Sequence, residues 1–552
     1  MKILILGGYG VFGGRLARLL AESDLDILIA GRDLAKAQTF CATQARCSPL
    51  QADRATIAAT LRTHRPHILI DATGPFQDYG PDPCHVLKAC IETRTNYLDF
   101  ADGADFVAGI SAFDAPAKAA RIFALSGASS FPVLTAAVLD EMAKTMQIHS
   151  VTGGIAPSPH AGVGLNVLRA VLGYAGEPVT LKRDGHFATG HGLAETRRFT
   201  VAPPGALPLY STLFSLVDVP DLRTIPARLP QIQTLWMGAG PLPEPLHRLL
   251  ISLARLRARG LLPNLAPLAP LAHRVLNALK YGEHRGGMFI QAKGTTKGQP
   301  ITREWHMLAE GDDGPLIPSM AIAAIVRQTR AGSPPAHGAR PALGALTLAD
   351  YDTLFATRAI TTGWRGAPEG PLYQQTLGPA FATLPPTLQA LHQPGKRAQW
   401  SGRATVTRNP GRLPKLIARL FGFPDQGADI PVTVTFLTNA AGVETWGRNF
   451  SGRLMVSTQE PGKGRNRHLI TERFGPFAFG LAIVADGPKL RVIPRRWALL
   501  GLPLPRSLLP RGDSYEAEQN GKFHFHVEIA LPLIGPVVTY DGWLDPAHDV
   551  LN

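Results

Sequence analysis

The first 32 residues constrain the fold more tightly than any other stretch. An apolar run, Lys2-Ile3-Leu4-Ile5-Leu6, leads at once into Gly7-Gly8-Tyr9-Gly10-Val11-Phe12-Gly13. Arg15-Leu16-Ala17-Arg18-Leu19-Leu20 follows at helical spacing, and Asp26-Ile27-Leu28-Ile29-Ala30 is a second apolar run closed by Gly31-Arg32. Strand, glycine turn, helix and strand in that order predict a βαβ unit, the context in which a G-x-G-x-x-G pattern holds a dinucleotide pyrophosphate. Gly8 is expected to supply the positive φ of the turn, Gly10 the close approach of backbone to phosphate, and Gly13 the close packing of helix on strand. Gly7, Tyr9, Val11 and Phe12 complete the loop, whose free N–H groups and positive helix end face the phosphates.

The end of the second strand selects the dinucleotide. Where an NAD binder carries Asp or Glu for the ribose hydroxyl, this chain has Arg32. A guanidinium suits a 2′-phosphate, so NADP(H) is the expected cofactor, with Asp33 as the competing ribose ligand. Leu34 to Ala45 reads as helix and Ser48 to Asp53 as a third strand. Asp53 either contacts adenine or caps the next helix. His67 to Ala72 is a fourth strand running into Thr73-Gly74-Pro75-Phe76, Cys84 to Glu92 a helix, and Asn96–Phe100 and Arg121–Leu125 two more strands. This alternation predicts an α/β domain with a doubly wound parallel Rossmann-type sheet over residues 1–130. Ligands sit at the carboxyl ends of parallel strands, which places Ala72, Thr73, Gly74 and Pro75 beside the nicotinamide ribose.

At 552 residues the chain is too long for one core. Residues 131–331 read as an α+β substrate domain: Val151–Ile155, Gly287–Gly294 and Glu304–Ala309 as strands, Asn166–Tyr174 and Pro318–Arg330 as helices. The Pro- and Gly-rich residues 332–344 read as a linker, and 345–552 as a mainly antiparallel β (α+β) domain. That domain begins with helix around Leu372–Leu391 and continues as seven to nine strands that could enclose a hollow for an apolar ligand. On one late strand Phe523, Phe525, Val527 and Ile529 share a face; His524 and His526 lie on the other, read as solvated, and no metal site is expected. Cys41, Cys47, Cys84 and Cys90 have no zinc-type spacing and read as reduced thiols of a cytoplasmic protein.

The formal net charge is +14, and two stretches carry twelve of the cations. Pro245–Tyr281 and Pro488–Gly512 each hold six Lys or Arg and no acid. In the first, Leu246, Leu249, Leu250, Leu253 and Leu256 are expected on one helical face, with a second amphipathic helix over Leu271–Leu279. Proline breaks and charge exclude a bilayer-spanning helix. Two fates remain open: an interface, within the chain or in a homodimer, or contact with an anionic membrane surface, peripheral to its inner face. Nucleic acid is not expected, because the cations lie among leucines and not among stacking aromatics.

The glycine turn, Ala30-Gly31-Arg32-Asp33, Asp71-Ala72-Thr73-Gly74-Pro75-Phe76, the helix with Cys84 and Cys90, and Tyr97-Leu98-Asp99 together resemble the saccharopine dehydrogenase-like NADP-binding domain. Gly378-Pro379-Ala380-Phe381, Thr445-Trp446-Gly447-Arg448-Asn449-Phe450, Arg473-Phe474-Gly475-Pro476 and Tyr540-Asp541-Gly542-Trp543-Leu544 resemble an uncharacterised domain that follows it in bacterial proteins. The first resemblance implies an oxidoreductase moving hydride to or from a C=N, C=O or activated C=C bond of a small or lipid-like substrate. Tyr97, Asp99 and His160 are the candidate proton donors, with Asp99 also a ribose or loop-ordering ligand. The alternative is a lipid-binding or membrane-associated protein that senses NADPH without turnover.

Overall fold

The computed structural model describes all residues except 22–23, 78, 242, 279–280, 368 and 548–552, so Leu279, expected to end a helix, lies outside the described residues. The chain divides into two units, residues 1–197 with 213–361 and residues 198–212 with 362–552.

In the first unit, β1 (Lys2–Leu6), α1 (Val11–Ala21), β2 (Asp26–Gly31), α2 (Leu34–Cys41), β3 (Cys47–Gln51), α3 (Ile57–His64), β4 (Ile68–Asp71), α4 (His85–Thr93), β5 (Asn96–Asp99) and β6 (Phe123–Ser126) alternate as expected. The strands lie in the order β3-β2-β1-β4-β5-β6, all parallel. Ile3, Leu4 and Ile5 are fully buried, as a strand covered by helices on both faces requires. The α2 helix stops at Cys41, short of the expected Ala45.

The expected linker does not exist as such. Residues Gly338–Pro341 form a seventh parallel strand beside β6, with the Gly338 N–H donating to the Ile122 carbonyl at 2.9 Å. A four-residue edge strand needs backbone partners more than side chains, and Pro is tolerated at an edge, so its composition reads as loop. Helix Leu348–Phe355, closed by a Thr347–Asp350 capping box, also belongs to this unit and not to the C-terminal domain.

A second, mixed sheet carries Thr234–Ala239, Gln147–Ala156, Arg285–Thr296 and Gln299–Glu310 side by side. Helix Leu165–Tyr174 packs on helix Ala269–Ala278, and helix Ile317–Arg330 packs on α1. Helix Glu244–Ala258 is rotated from its expected face: His247, Ile251 and Ala254 are buried, Leu250 and Leu253 are partly buried, and Leu249 and Leu256 are exposed. His247 turns inward because Ser215 Oγ meets its Nε2 at 2.8 Å, a pairing invisible to periodicity. No helix among the described residues is long and apolar enough to cross a membrane.

The second unit is a closed antiparallel barrel of ten strands, one more than the upper bound expected. In order these are Phe477–Asp486, Ile470–Phe474, Arg453–Pro461, Glu444–Phe450, Gly427–Thr438, Arg397–Arg408, Gly535–Pro546, Lys522–Leu531, Ser514–Gln519 and Lys489–Leu499, the last pairing back onto the first. Phe436, Trp446, Ile470, Phe523 and Leu544 fill its interior. Short helices Leu372–Leu377 and Pro386–Leu391 replace the single expected helical segment, and helix Arg412–Leu420 packs against the barrel. Lys489–Leu499 makes the second basic stretch a strand. His526 pairs with Asp541 and stacks on Tyr515.

Candidate dinucleotide and substrate site

The β1–α1 turn forms a cradle from the backbone up. Gly7, not Gly8, takes the positive φ, +80°, and a Cβ there would lie 2.8 Å from the Ala72 carbonyl oxygen. Gly8 is a packing glycine against Ile5 and Ile29. A Cβ on Gly13 would lie 2.4 Å from Gly7 O, which seats α1 against the turn as expected. Gly10 differs, because its Cβ would meet only Gly7 O, at 3.0 Å. The first intrahelical bond runs from Gly14 N–H to Gly10 O at 2.8 Å. Among the described residues the N–H groups of Val11, Phe12 and Gly13 have no backbone acceptor, which leaves the helix start able to bind an anion.

At the end of β2 the Tyr9 ring lies over Gly31, and its hydroxyl accepts from the Asp33 N–H at 3.1 Å. Asp33 is the N-cap of α2: its Oδ1 accepts from Lys36 N–H at 3.1 Å, and Lys36 pairs with its other oxygen. Asp53 likewise accepts from the Thr56 N–H at 2.9 Å ahead of α3. Backbone hydrogen bonds, from Lys36 and Thr56 respectively, are the main reason both carboxyls are held below the ordinary range. Asp33 is thus engaged as the cap of α2, and Asp53 in a turn just before α3, whose N-cap is Thr56. The exposed Arg32 guanidinium makes no hydrogen bond or ion pair among the described residues.

A cavity of about 290 Å³ opens at the carboxyl end of the sheet. Its walls are Gly10, Val11 and Phe12 of the turn, Ala72, Gly74 and Pro75 after β4, Phe100 and Asp102 after β5, and Gly164 to Val167 with Ala170 of the helix opposite. Phe12 and Phe100 stack at 5.7 Å. Asn166 Nδ2 donates to the Gly74 carbonyl at 3.1 Å, joining the two sides of the cavity. Behind the loop, Asp71 accepts from Thr73 Oγ1 at 2.7 Å and from the Tyr79 hydroxyl at 2.6 Å. Thr73 therefore holds the loop with its hydroxyl instead of offering it to a cofactor.

None of the three expected proton donors lines this cavity. Tyr97 is buried in the core between sheet and helices, where burial, reinforced by Asp99 and Asp71, pushes its hydroxyl well above the ordinary range. Asp99 is fully buried and orders two loops, accepting from Ala101 N–H at 2.9 Å and Gly127 N–H at 2.7 Å. Burial raises its carboxyl to about 6. His160 sits in the loop before the Leu165–Tyr174 helix, its Nε2 3.2 Å from Gly282 O and its ring 4.7 Å from His284. Strand parity accounts for the first result, since Tyr97 and the residues after β5 face different layers.

Sequence reading missed Asn166 and Asp102. Asn166 stands at the start of a mostly apolar helix, but its partner Gly74 is 92 residues away. The opposite face of that helix, Leu168 and Leu172, packs with Ala254, Leu265 and Ala269, so the basic leucine-rich helices buttress the cavity wall.

Residues 3–125 match the saccharopine dehydrogenase NADP binding domain, and residues 384–544 match a domain of unknown function, DUF4166. The chain thus joins a saccharopine dehydrogenase-like NADP-binding domain to that second domain. Among solved structures, the saccharopine dehydrogenase (L-Glu forming) of Saccharomyces cerevisiae is similar over 66% of this chain and 99% of its own, at 14% identity and a TM-score of 0.47. An oxidoreductase from Lactococcus lactis (17% identity, 19% of this chain and 49% of its own, TM-score 0.16) is also similar. So is a UDP-glucose-4-epimerase from Stenotrophomonas maltophila (17%, 19% and 38%, 0.16). No curated protein matches the chain.

Proposed function

We propose that the protein is an NADP(H)-dependent oxidoreductase whose substrate, small or lipid-like, enters the cavity between Phe100 and Asn166. The observation that carries the reading is the convergence on one sheet edge of three features: a Gly10 whose Cβ would meet one atom only, three N–H groups without a backbone acceptor among the described residues, and the uncommitted Arg32. Val11, Phe12 and Gly13 N–H hold the pyrophosphate, and Arg32 takes the 2′-phosphate. When bound, the nicotinamide supplies a hydride for a C=N, C=O or activated C=C bond. Phe12 and Phe100 exclude water from that end, and the Asn166 amide orients the polar end of the substrate. Asp102, whose other contact is Gln77 Nε2 at 3.0 Å, is the carboxyl in the cavity wall and the proton donor of this reading.

The test is binding followed by turnover. Calorimetry should give one NADPH per chain, and a panel of enones, imines and long-chain ketones should yield at least one substrate whose NADPH oxidation is lost in Asp102→Asn. NADPH binding without oxidation across the panel would favour a dinucleotide sensor.

A second reading concerns location. Leu249, Leu256, Leu261, Leu268 and Leu271 are exposed among Arg248, Arg255, Arg259 and Arg274, which supports peripheral docking on an anionic bilayer. Flotation with phosphatidylglycerol vesicles, reduced by Leu261→Glu/Leu271→Glu, tests it; equal flotation of the variant would refute it.

A further inference from the structure

The second unit contains a cavity of its own, about 250 Å³, inside the ten-stranded barrel. Strand pairing shows how it arises. Arg448 lies opposite Met455 and Val434, Glu472 opposite Gln459 and Phe479, and Glu516 opposite Phe525, so all of these share the inner face. Phenyl rings dominate the wall, among them Phe421, Phe474, Phe479 and Phe525. Such rings give an apolar molecule a large contact area.

A polar cluster sits within this wall. Arg448 donates to Ser457 Oγ at 2.8 Å and to Glu472 Oε1 at 3.2 Å, and its guanidinium lies 4.9 Å from the Trp446 ring centre. Glu472 Oε1 also accepts from Ser457 Oγ at 2.7 Å and from Gln459 Nε2 at 3.2 Å. Contact with a carboxylate fixes which end of the Gln459 amide is nitrogen. Its Oε1 is then the other end: 2% of Gln459 is exposed, and that oxygen has no hydrogen-bond partner among the described residues. A buried acceptor without a partner is costly, so the site is built for a donor.

The charges narrow the donor further. Glu472 already neutralises Arg448, and Glu516, paired with His392 at 2.5 Å, faces the same cavity. The wall's other guanidinium, Arg511, is solvent-exposed, whereas beside Gln459 a carboxylate would meet Glu472 with Arg448 already paired, and it would bring no hydrogen for Gln459.

We propose that the barrel binds one elongated apolar molecule through a neutral hydroxyl that donates to Gln459 Oε1. At ~30 Å³ per water the cavity holds about eight waters, hence a ligand portion of roughly nine non-hydrogen atoms. Helix Arg412–Leu420 supplies a second observation of the same chemistry. Ile417 lines the cavity, while Leu413, Leu416 and Leu420 are 52%, 63% and 76% exposed between Arg412, Lys415 and Arg419. Apolar side chains thus reach from the surface to the interior on one helix, a route suited to an apolar ligand.

The experiment is calorimetric titration of the full chain with 1-octanol, the shorter 1-alkanols and sodium octanoate. The expected result is one saturable 1-octanol site, with affinity rising about fourfold per methylene and octanoate at least tenfold weaker. Gln459→Leu should weaken 1-octanol about tenfold while leaving NADPH binding unchanged. Val492→Phe, which fills the cavity from its wall, should abolish alkanol binding. Absence of a saturable site, octanoate binding as tightly as octanol, an unchanged Gln459→Leu, or binding retained in Val492→Phe would each overturn the proposal. The alkanol and octanoate comparison on the unaltered chain decides even if a variant fails to fold.

Discussion

The phenol oxygen of Tyr9 accepts the backbone N–H of Asp33 at 3.1 Å, and the Tyr9 ring occupies the space above Gly31 where a Cβ would stand 2.3 Å from it. The phosphate loop and the end of β2 are thereby one piece, and Arg32 lies between the two contacts. Gly31→Ala should displace the ring, shift Arg32 and weaken NADPH binding at least tenfold. Tyr9→Phe, which loses one hydrogen bond, should cost about 1 kcal/mol, or roughly fivefold. Titration of both variants with NADPH checks the order; equal affinities would detach Tyr9 from the site.

Arg32 is the residue expected to choose the cofactor. Arg32→Ala should lower NADPH affinity about ten- to hundredfold, the worth of charge-assisted hydrogen bonds to a phosphate, and leave NADH affinity unchanged. Binding constants for both dinucleotides measure this. An unchanged ratio would remove Arg32 from the 2′-phosphate site.

Two glycines of one turn should fail in different ways. A Gly10 Cβ would press on a single atom, Gly7 O at 3.0 Å, and would stand at the proposed phosphate position, so Gly10→Val should lose NADPH binding with a smaller fall in Tm than Gly13→Val. Gly13→Val would drive its side chain into Gly7 O, 2.4 Å from the Cβ position, and should lower Tm by several degrees. Thermal melts with and without NADPH separate the two outcomes.

Stability should fall as pH rises from about 4 to 7. Loss of water, the main cause, pushes the buried carboxyl of Asp221, beside Thr135, up to about 7, and that of Asp99 to about 6. Against an ordinary value of 3.8, the folded chain holds more protons than the unfolded chain within that window. Both groups therefore favour folding at low pH and oppose it above their folded values. Asp221→Asn removes one of these titrations and should melt several degrees above the unaltered protein at pH 8, and close to it at pH 4. Melting curves at the two pH values test the sign.

Much of the first unit was legible because its information is local. Buried parallel strands are continuous apolar runs, and a glycine turn is written in adjacent residues, so β1 to β6 appeared nearly at their true bounds. Asp33 reads in the sequence as a competing ribose ligand and is found capping α2, because a short carboxyl at a strand end suits either partner equally well. Tyr97 looked like a proton donor for its chemistry, whereas the parity of a four-residue strand puts it in the core.

Residues close together in the chain carry the βαβ unit, the glycine turn, Arg32 at the strand end and the alternating inner face of Phe523, Phe525, Val527 and Ile529. Each depends on a period or spacing within a few residues. The tertiary structure alone decided that Gly338–Pro341 completes the first sheet, that Asn166 meets Gly74, that His247 turns inward to Ser215, and that Gln459 is left with an unpaired oxygen inside a closed barrel. Those relationships join residues tens to hundreds of positions apart, and whether a polar group is paired depends on what the fold brings beside it.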